Sequence, residues 1–165
     1  MTDDRFWAIV EAARKQAGGD VEARVSHLGE ELDQLSMPEI EGFQKKYDEM
    51  IHRAHRWDLW GAAYLMNGGC SDDGFRYFCH WLISEGKTQF ERAIANPDAL
   101  ADVPRQDYFE LEAFAYEALK CYEAKGGGEL ERDFTIELAQ PQGTEWSEEE
   151  LPSLFPRLAE KYGDA

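Results

Sequence analysis

The octapeptide LWGAAYLM, Leu59 to Met66, carries no charge and puts an apolar or small side chain on every face that a helix could present. A helix of this kind has no side to turn toward water, so other elements of the chain must surround it. It falls far short of the roughly 20 apolar residues needed to cross a bilayer, and a helix buried inside a folded domain is the consequence. Trp57, Trp60 and Tyr64 add bulk at helical spacing, while Gly61, Ala62 and Ala63 let neighbouring backbones come close. Glycine within a helix costs about 1 kcal/mol relative to alanine, so Gly61 is expected to answer a packing need.

The surrounding segments supply what that buried helix requires. Phe6, Ile9, Val10 and Ala13 form a helical stripe after a cap at Thr2 or Asp3 and stop at Gly18-Gly19. Asp20 opens a second helix whose stripe is Val21, Val25, Leu28, Leu32 and Leu35. Ser36 and Glu39 make a capping box for a third, which carries Ile40, Phe43, Tyr47, Met50 and Ile51. After the central helix, Phe75, Phe78, Cys79 and Leu82 mark one stripe of the next, with Tyr77 and Trp81 on a second. Phe90, Ala93 and Ile94 belong to a short helix ended by Asn96-Pro97. Asp107 with Glu110 resembles a capping box ahead of Leu111, Phe114, Ala115, Ala118, Leu119 and Tyr122, and that helix ends at Gly126-Gly127-Gly128. Phe134, Ile136 and Leu138 alternate as in a short extended segment, and Ser147 with Glu150 caps a final helix that docks through Leu151, Leu154, Phe155 and Leu158. The expected architecture is all-α: an irregular helical bundle in one domain, residues 1–165, with a helical core over 1–124 and a partly extended tail over 125–165 that docks on it.

Composition narrows the function classes. Acidic residues number 34 against 17 basic ones, a net charge of −17, which repels phosphate backbones and excludes direct nucleic-acid binding. The same charge suits the capture of a basic protein partner. Three cysteines without C-x-x-C spacing offer neither a disulfide framework nor a zinc ribbon, and reduced thiols fit the cytoplasm. The N-terminus lacks the basic and apolar regions of a secretory leader, and no membrane association is expected.

The stretch NGGCSDDGF, Asn67 to Phe75, gathers an amide, a thiol and two acids, and each has a structural use. Asn67, Gly68 and Gly69 can end one helix in left-handed backbone, Ser71 or Asp72 can cap the next, and Asp73 complements its dipole. The spacing does not match an EF-hand loop, and Asp72 and Asp73 diverge by about 100° on a helix, which is poor geometry for paired acid-base work. Cys70 lies near a helix N-terminus, where a thiol can become nucleophilic. In the basic run HRAHR, His52 and His55 share a helix face at a spacing open to a metal, although Asp48 and Glu49 stand four residues earlier as ordinary ion-pair partners of His52 and Arg53. Arg53, Arg56 and Arg76 are candidate donors to a small anion. If the chain has a ligand pocket, it is expected between the central helix and its successor. Its candidate lining is Trp57, Trp60, Tyr64, Asn67, Cys70, Asp72, Asp73, Arg76 and Trp81.

The stretch RWDLWGAAYLMNGGCSDDGFRYFCHWLISEGK, together with RFWAIVEAAR near the start and FERAIANPDALAD later, resembles the signature of a bacterial domain-of-unknown-function family, number 4240. The resemblance implies a bacterial source and brings no activity, cofactor or catalytic residue with it. Two functions are therefore expected from the residues themselves. The first is a noncatalytic interaction, inhibitor or accessory module that needs no cofactor and engages a basic partner. The alternative is a small enzyme or small-molecule-binding protein using the aromatic and acidic pocket beside the glycine turn.

Overall fold

The computed structural model describes residues 1–135 and 139–163, and the structure is all-α. Its helices are α1 (Asp3–Ala17), α2 (Ala23–Asp33), α3 (Met37–Ala54), α4 (Trp57–Asn67), α5 (Asp72–Ser84), α6 (Lys87–Ala95), α7 (Glu117–Ala124), α8 (Leu151–Leu154) and α9 (Pro156–Tyr162). Short 3-10 turns cover Pro97–Asp102, Glu112–Tyr116 and Glu148–Glu150. Among the described residues no strand forms; Arg56 and Gln142 make one isolated parallel bridge. Phe134 is exposed and irregular, while Ile136 and Leu138 of the expected extended segment lie outside the described residues. No described helix is long and apolar enough to cross a membrane.

Local chemistry sets most of the boundaries. Thr2 caps α1 through a 3.2 Å bond from the Arg5 amide, and Ser36 and Glu39 close the expected capping box on α3. Asp20 does not cap α2 directly. Its carboxylate accepts from the Ala23 amide at 3.2 Å and holds a turn from which the helix starts.

α4 is largely enclosed, although Trp60, Tyr64 and Leu65 of its apolar stretch are half-buried and not fully covered. Leu59, Gly61, Ala62, Ala63 and Met66 are buried and none of its residues is fully exposed. It packs on α5, α8, α9 and the Pro97–Asp102 turn. Gly61 meets the C-terminal segment: a β-carbon there would lie 2.8 Å from Phe155, 2.9 Å from Leu151 and 3.0 Å from Trp146. The glycine therefore exchanges helix propensity for the seating of α8 and α9. α5 shares the centre, touching α1, α3, α4, α6 and the Glu112–Tyr116 turn. Trp81, on the second stripe, is fully enclosed between Phe78 and Phe109, so α5 is buried on more than one side.

The helix expected from Asp107 starts later. Residues 107–111 are not helical, a 3-10 turn covers Glu112–Tyr116, and α-helix begins only at Glu117. Asn67 competes for this backbone: its amide donates to the Phe109 carbonyl at 3.2 Å and accepts from the Phe109 N–H at 2.9 Å. The Leu111 N–H donates to the Tyr77 carbonyl at 3.1 Å. Phe109 and Leu111 are thereby both buried from an extended segment, which outweighs the local helix signal. The final helix is likewise divided, because Phe155 leaves helical backbone ahead of Pro156. Buried Asp98 restores a cap to α9 by accepting from the amides of Arg157 and Leu158.

Candidate functional site

A cleft of about 490 Å³ opens between α3, α5, the Glu112–Tyr116 turn and the segment that follows α7. Its apolar wall is a ladder of rings. Trp57 stacks on Trp60 at 5.2 Å and 5°, Trp60 on Phe75 at 5.3 Å and 6°, and Phe75 on His55 at 6.2 Å and 25°. The ladder is fixed from behind. Trp60 Nε1 donates to the Cys70 carbonyl at 2.9 Å, and Trp146 donates to the Trp57 carbonyl at 2.6 Å while its ring stands edge-on to both tryptophans. Offset and edge contacts of this kind hold indole rings rigidly, which suits a binding wall.

The glycine corner positions the charged wall. Gly68 ends α4 in left-handed backbone at φ 67°, a conformation free of strain only without a β-carbon. Ser71 Oγ then accepts from the Gly74 amide and starts α5, so Asp72, Asp73 and Arg76 fall in its first turns beside the cleft. Arg76 lies 2.9 Å from Asp73. Across the cleft, Asp48 of α3 is nearly buried and organises the C-terminal segment. It accepts from Gln44 at 2.9 Å and from the Asp133 amide at 3.0 Å, and it lies 3.5 Å from Arg132 Nε. Bonds from Thr135, followed by the contact with His52, hold the Asp133 carboxyl below the usual carboxylate range.

His80 is on the cleft lining, one turn beyond Arg76, and its Nδ1 meets the buried Tyr47 hydroxyl at 2.8 Å. Burial, then the charges of Arg132 and Arg76, push the imidazole down to about 3, so it is neutral at physiological pH. Burial also holds the Tyr47 phenol well above its ordinary range. At the cleft are Tyr116 and Phe134, two of the large hydrophobic side chains the fold leaves exposed.

Of the residues singled out from sequence, Trp57, Trp60, Asp72, Asp73 and Arg76 line this cleft, as does His55. Tyr64, Asn67, Cys70 and Trp81 do not. Tyr64 faces Trp146 and donates to Glu148, Asn67 is spent on Phe109, and Trp81 is core. Cys70 is half-buried, and burial, with the adjacent Asp72 charge, pushes its thiol up to about 12, which removes thiolate at neutral pH. His52 Nε2 contacts Asp133 at 2.8 Å and His55 Nε2 the Ala139 carbonyl at 3.1 Å. Among the described residues no three His, Cys, Asp or Glu side chains converge as a metal set. The expected helical pairs do not form: Asp48 meets Arg132 and Glu49 meets Lys46 of its own helix, while His52 and Arg53 turn to Asp133 and Glu91. Arg53 is bidentate to Glu91, Arg56 is bidentate to Asp58 and Arg76 pairs with Asp73, so all three donors expected for an anion are engaged by carboxylates.

Tyr77, which belongs to the same aromatic set in the sequence, also lines the cleft, whereas His80, Tyr116, Arg132 and Phe134 were not anticipated. Arg76 and His80 share a face at i and i+4, a signal present in the sequence, whereas nothing local announces that Arg132 or Phe134 will reach the same cleft.

The family model described as "Protein of unknown function (DUF4240)" matches residues 1–124. No curated protein and no solved structure matches the chain. The matched portion contains the ring ladder, the glycine corner and His80, while Arg132, Asp133, Phe134 and residues 139–141 of the opposite wall follow it.

Proposed function

The chain belongs to the DUF4240 family, whose description carries no activity, and from the chemistry of the cleft we propose that it is a noncatalytic cytosolic binding module for a basic protein partner. The observation that carries this proposal is the composition of the cleft: among the described residues Asp48, Asp72, Asp73 and Asp133 supply four carboxylates against the two guanidiniums of Arg76 and Arg132. Beside them stands the rigid ring ladder, on which a guanidinium plane can stack. The net charge of −17 extends the same field over the molecule, so it speeds encounter with a basic surface before any short-range contact forms. Cytosolic residence is proposed because Cys70, Cys79 and Cys121 are all free thiols.

The test is a calorimetric titration with an acetylated, amidated oligo-arginine, run beside an oligo-glutamate of equal length. The arginine peptide is expected to bind, and raising salt from low to high ionic strength to weaken it at least about tenfold. Asp72→Asn should weaken it by a few-fold. Equal or absent binding of the two peptides would remove the proposal.

A further inference from the structure

Buried Tyr47 and half-buried His80 form a pair for which capture of a cation has no use. Tyr47 is 1% exposed, and its ring stacks 5.7 Å from the imidazole while its hydroxyl meets Nδ1. A phenol must place one proton, and His80 Nδ1 is the partner of this hydroxyl among the described residues. The hydroxyl therefore donates, Nδ1 accepts, and the single proton of the neutral ring sits on Nε2. Among the described residues Nε2 has no protein acceptor, and His80 lines the cleft.

The charge around that N–H selects the acceptor. Arg76 lies against Asp73 and Arg132 against Asp48, so each flanking cation is answered by a carboxylate. An anionic acceptor would be drawn toward two arginines and pressed against two aspartates together. An uncharged oxygen meets no such opposition, and filling the cleft without offering one would leave the N–H desolvated and unpartnered, which is unfavourable.

We infer that His80, held in the Nε2–H tautomer by Tyr47, is the hydrogen-bond donor that reads an uncharged carbonyl oxygen on the occupant of the cleft. This rests on the cleft being the binding site, and it narrows the partner's contribution to a basic segment that presents a peptide carbonyl alongside its cationic side chain.

The experiment is a long-range proton–nitrogen spectrum of the full chain labelled with ¹⁵N-histidine, first alone and then titrated with capped arginine (N-acetyl-arginine N-methylamide) or with butylguanidine, which keeps the guanidinium and the single charge and lacks a carbonyl. Alone, His80 should show an unprotonated Nδ1 and a protonated Nε2; the reverse tautomer overturns the inference. Capped arginine should shift the His80 Nε2–H resonance, and butylguanidine should leave it in place. Tyr47→Phe should mix the tautomers and weaken capped arginine about fivefold, the loss of roughly one hydrogen bond, without changing butylguanidine binding. If both probes bind equally and the His80 resonance stays still, the carbonyl role fails while the cleft survives as a cation site. If neither binds, the cation reading fails and this inference falls with it.

Discussion

His80 shows how a single residue takes its properties from partners distant in sequence. In isolation its imidazole would titrate at 6.5, yet in the fold burial and two arginine charges lower it to about 3. Between those values the unfolded chain binds a proton that the native chain refuses, so stability is full above about 6.5 and falls as the pH drops toward 3. Denaturant midpoints measured across that window should therefore decline with acid, and His80→Gln should flatten the decline by up to about one proton's worth of slope. Identical slopes in the two proteins would mean that the ring is more solvated than its contacts with Tyr47, Arg76 and Arg132 indicate. Residues of this type were poorly legible beforehand. The corner Asn67–Phe75 could be understood as punctuation because its glycines, serine cap and dipole-facing aspartates act within a few positions of one another. Tyr47 and His80 lie 33 residues apart and carry no pattern that would pair them. Cys70 was misleading for the opposite reason: its position near a helix start is visible locally, and the burial that disables it is not.

At the scale of elements, periodicity specified the helices well wherever the stripe met the core directly, as in α1, α3 and α5. It failed at residues 107–111, where Asn67 takes both backbone groups of Phe109 and diverts an amphipathic repeat into extended chain. The clamp needs a donor and an acceptor on one side chain, which makes it separable by substitution. Asn67→Ala should cost about 1–3 kcal/mol by removing two partly buried hydrogen bonds. Asn67→Asp keeps the acceptor but sets a carboxylate against the Phe109 carbonyl, and it is expected to be at least as damaging as alanine. Chemical denaturation of the three proteins decides the matter, and an aspartate variant as stable as the parent would show that the carbonyl contact contributes nothing. Because Phe109 packs on Trp81 and the Leu111 amide bonds to Tyr77, the same variants should loosen the face of α5 that carries His80.

For the whole molecule, the division between the matched region and the remainder matters most. The composition of α4 foretold an enclosing core, and Leu151, Phe155 and Leu158 foretold a docked tail, but nothing local said that the tail would land on α4 or that Leu154 would stay exposed. Gln142 bridges the junction of α3 and α4 through the His55 carbonyl, the Trp57 amide and the His52 carbonyl, spans of 85 to 90 residues that leave no local trace. Leu130, Leu151, Phe155 and Leu158 are buried in the same cluster as Phe6 and Leu59, and Gly61 is shaped to receive two of them. Burying each such side chain contributes about 1.5–3 kcal/mol, so the segment as a whole rivals the roughly 5–15 kcal/mol that holds an ordinary domain folded. A chain ended after Ala124 should retain helical circular dichroism but lose its sharp thermal transition and bind a hydrophobic dye along the uncovered face of α4. It should also lose affinity for oligo-arginine, since Arg132, Asp133 and Phe134 form the opposite wall of the cleft. A truncated chain that melted cooperatively at the parent's temperature would require α4 to be covered by something other than its own C-terminal segment. That result would undo the link between this packing and the cleft, because the ring ladder is braced by Trp146 from the same segment.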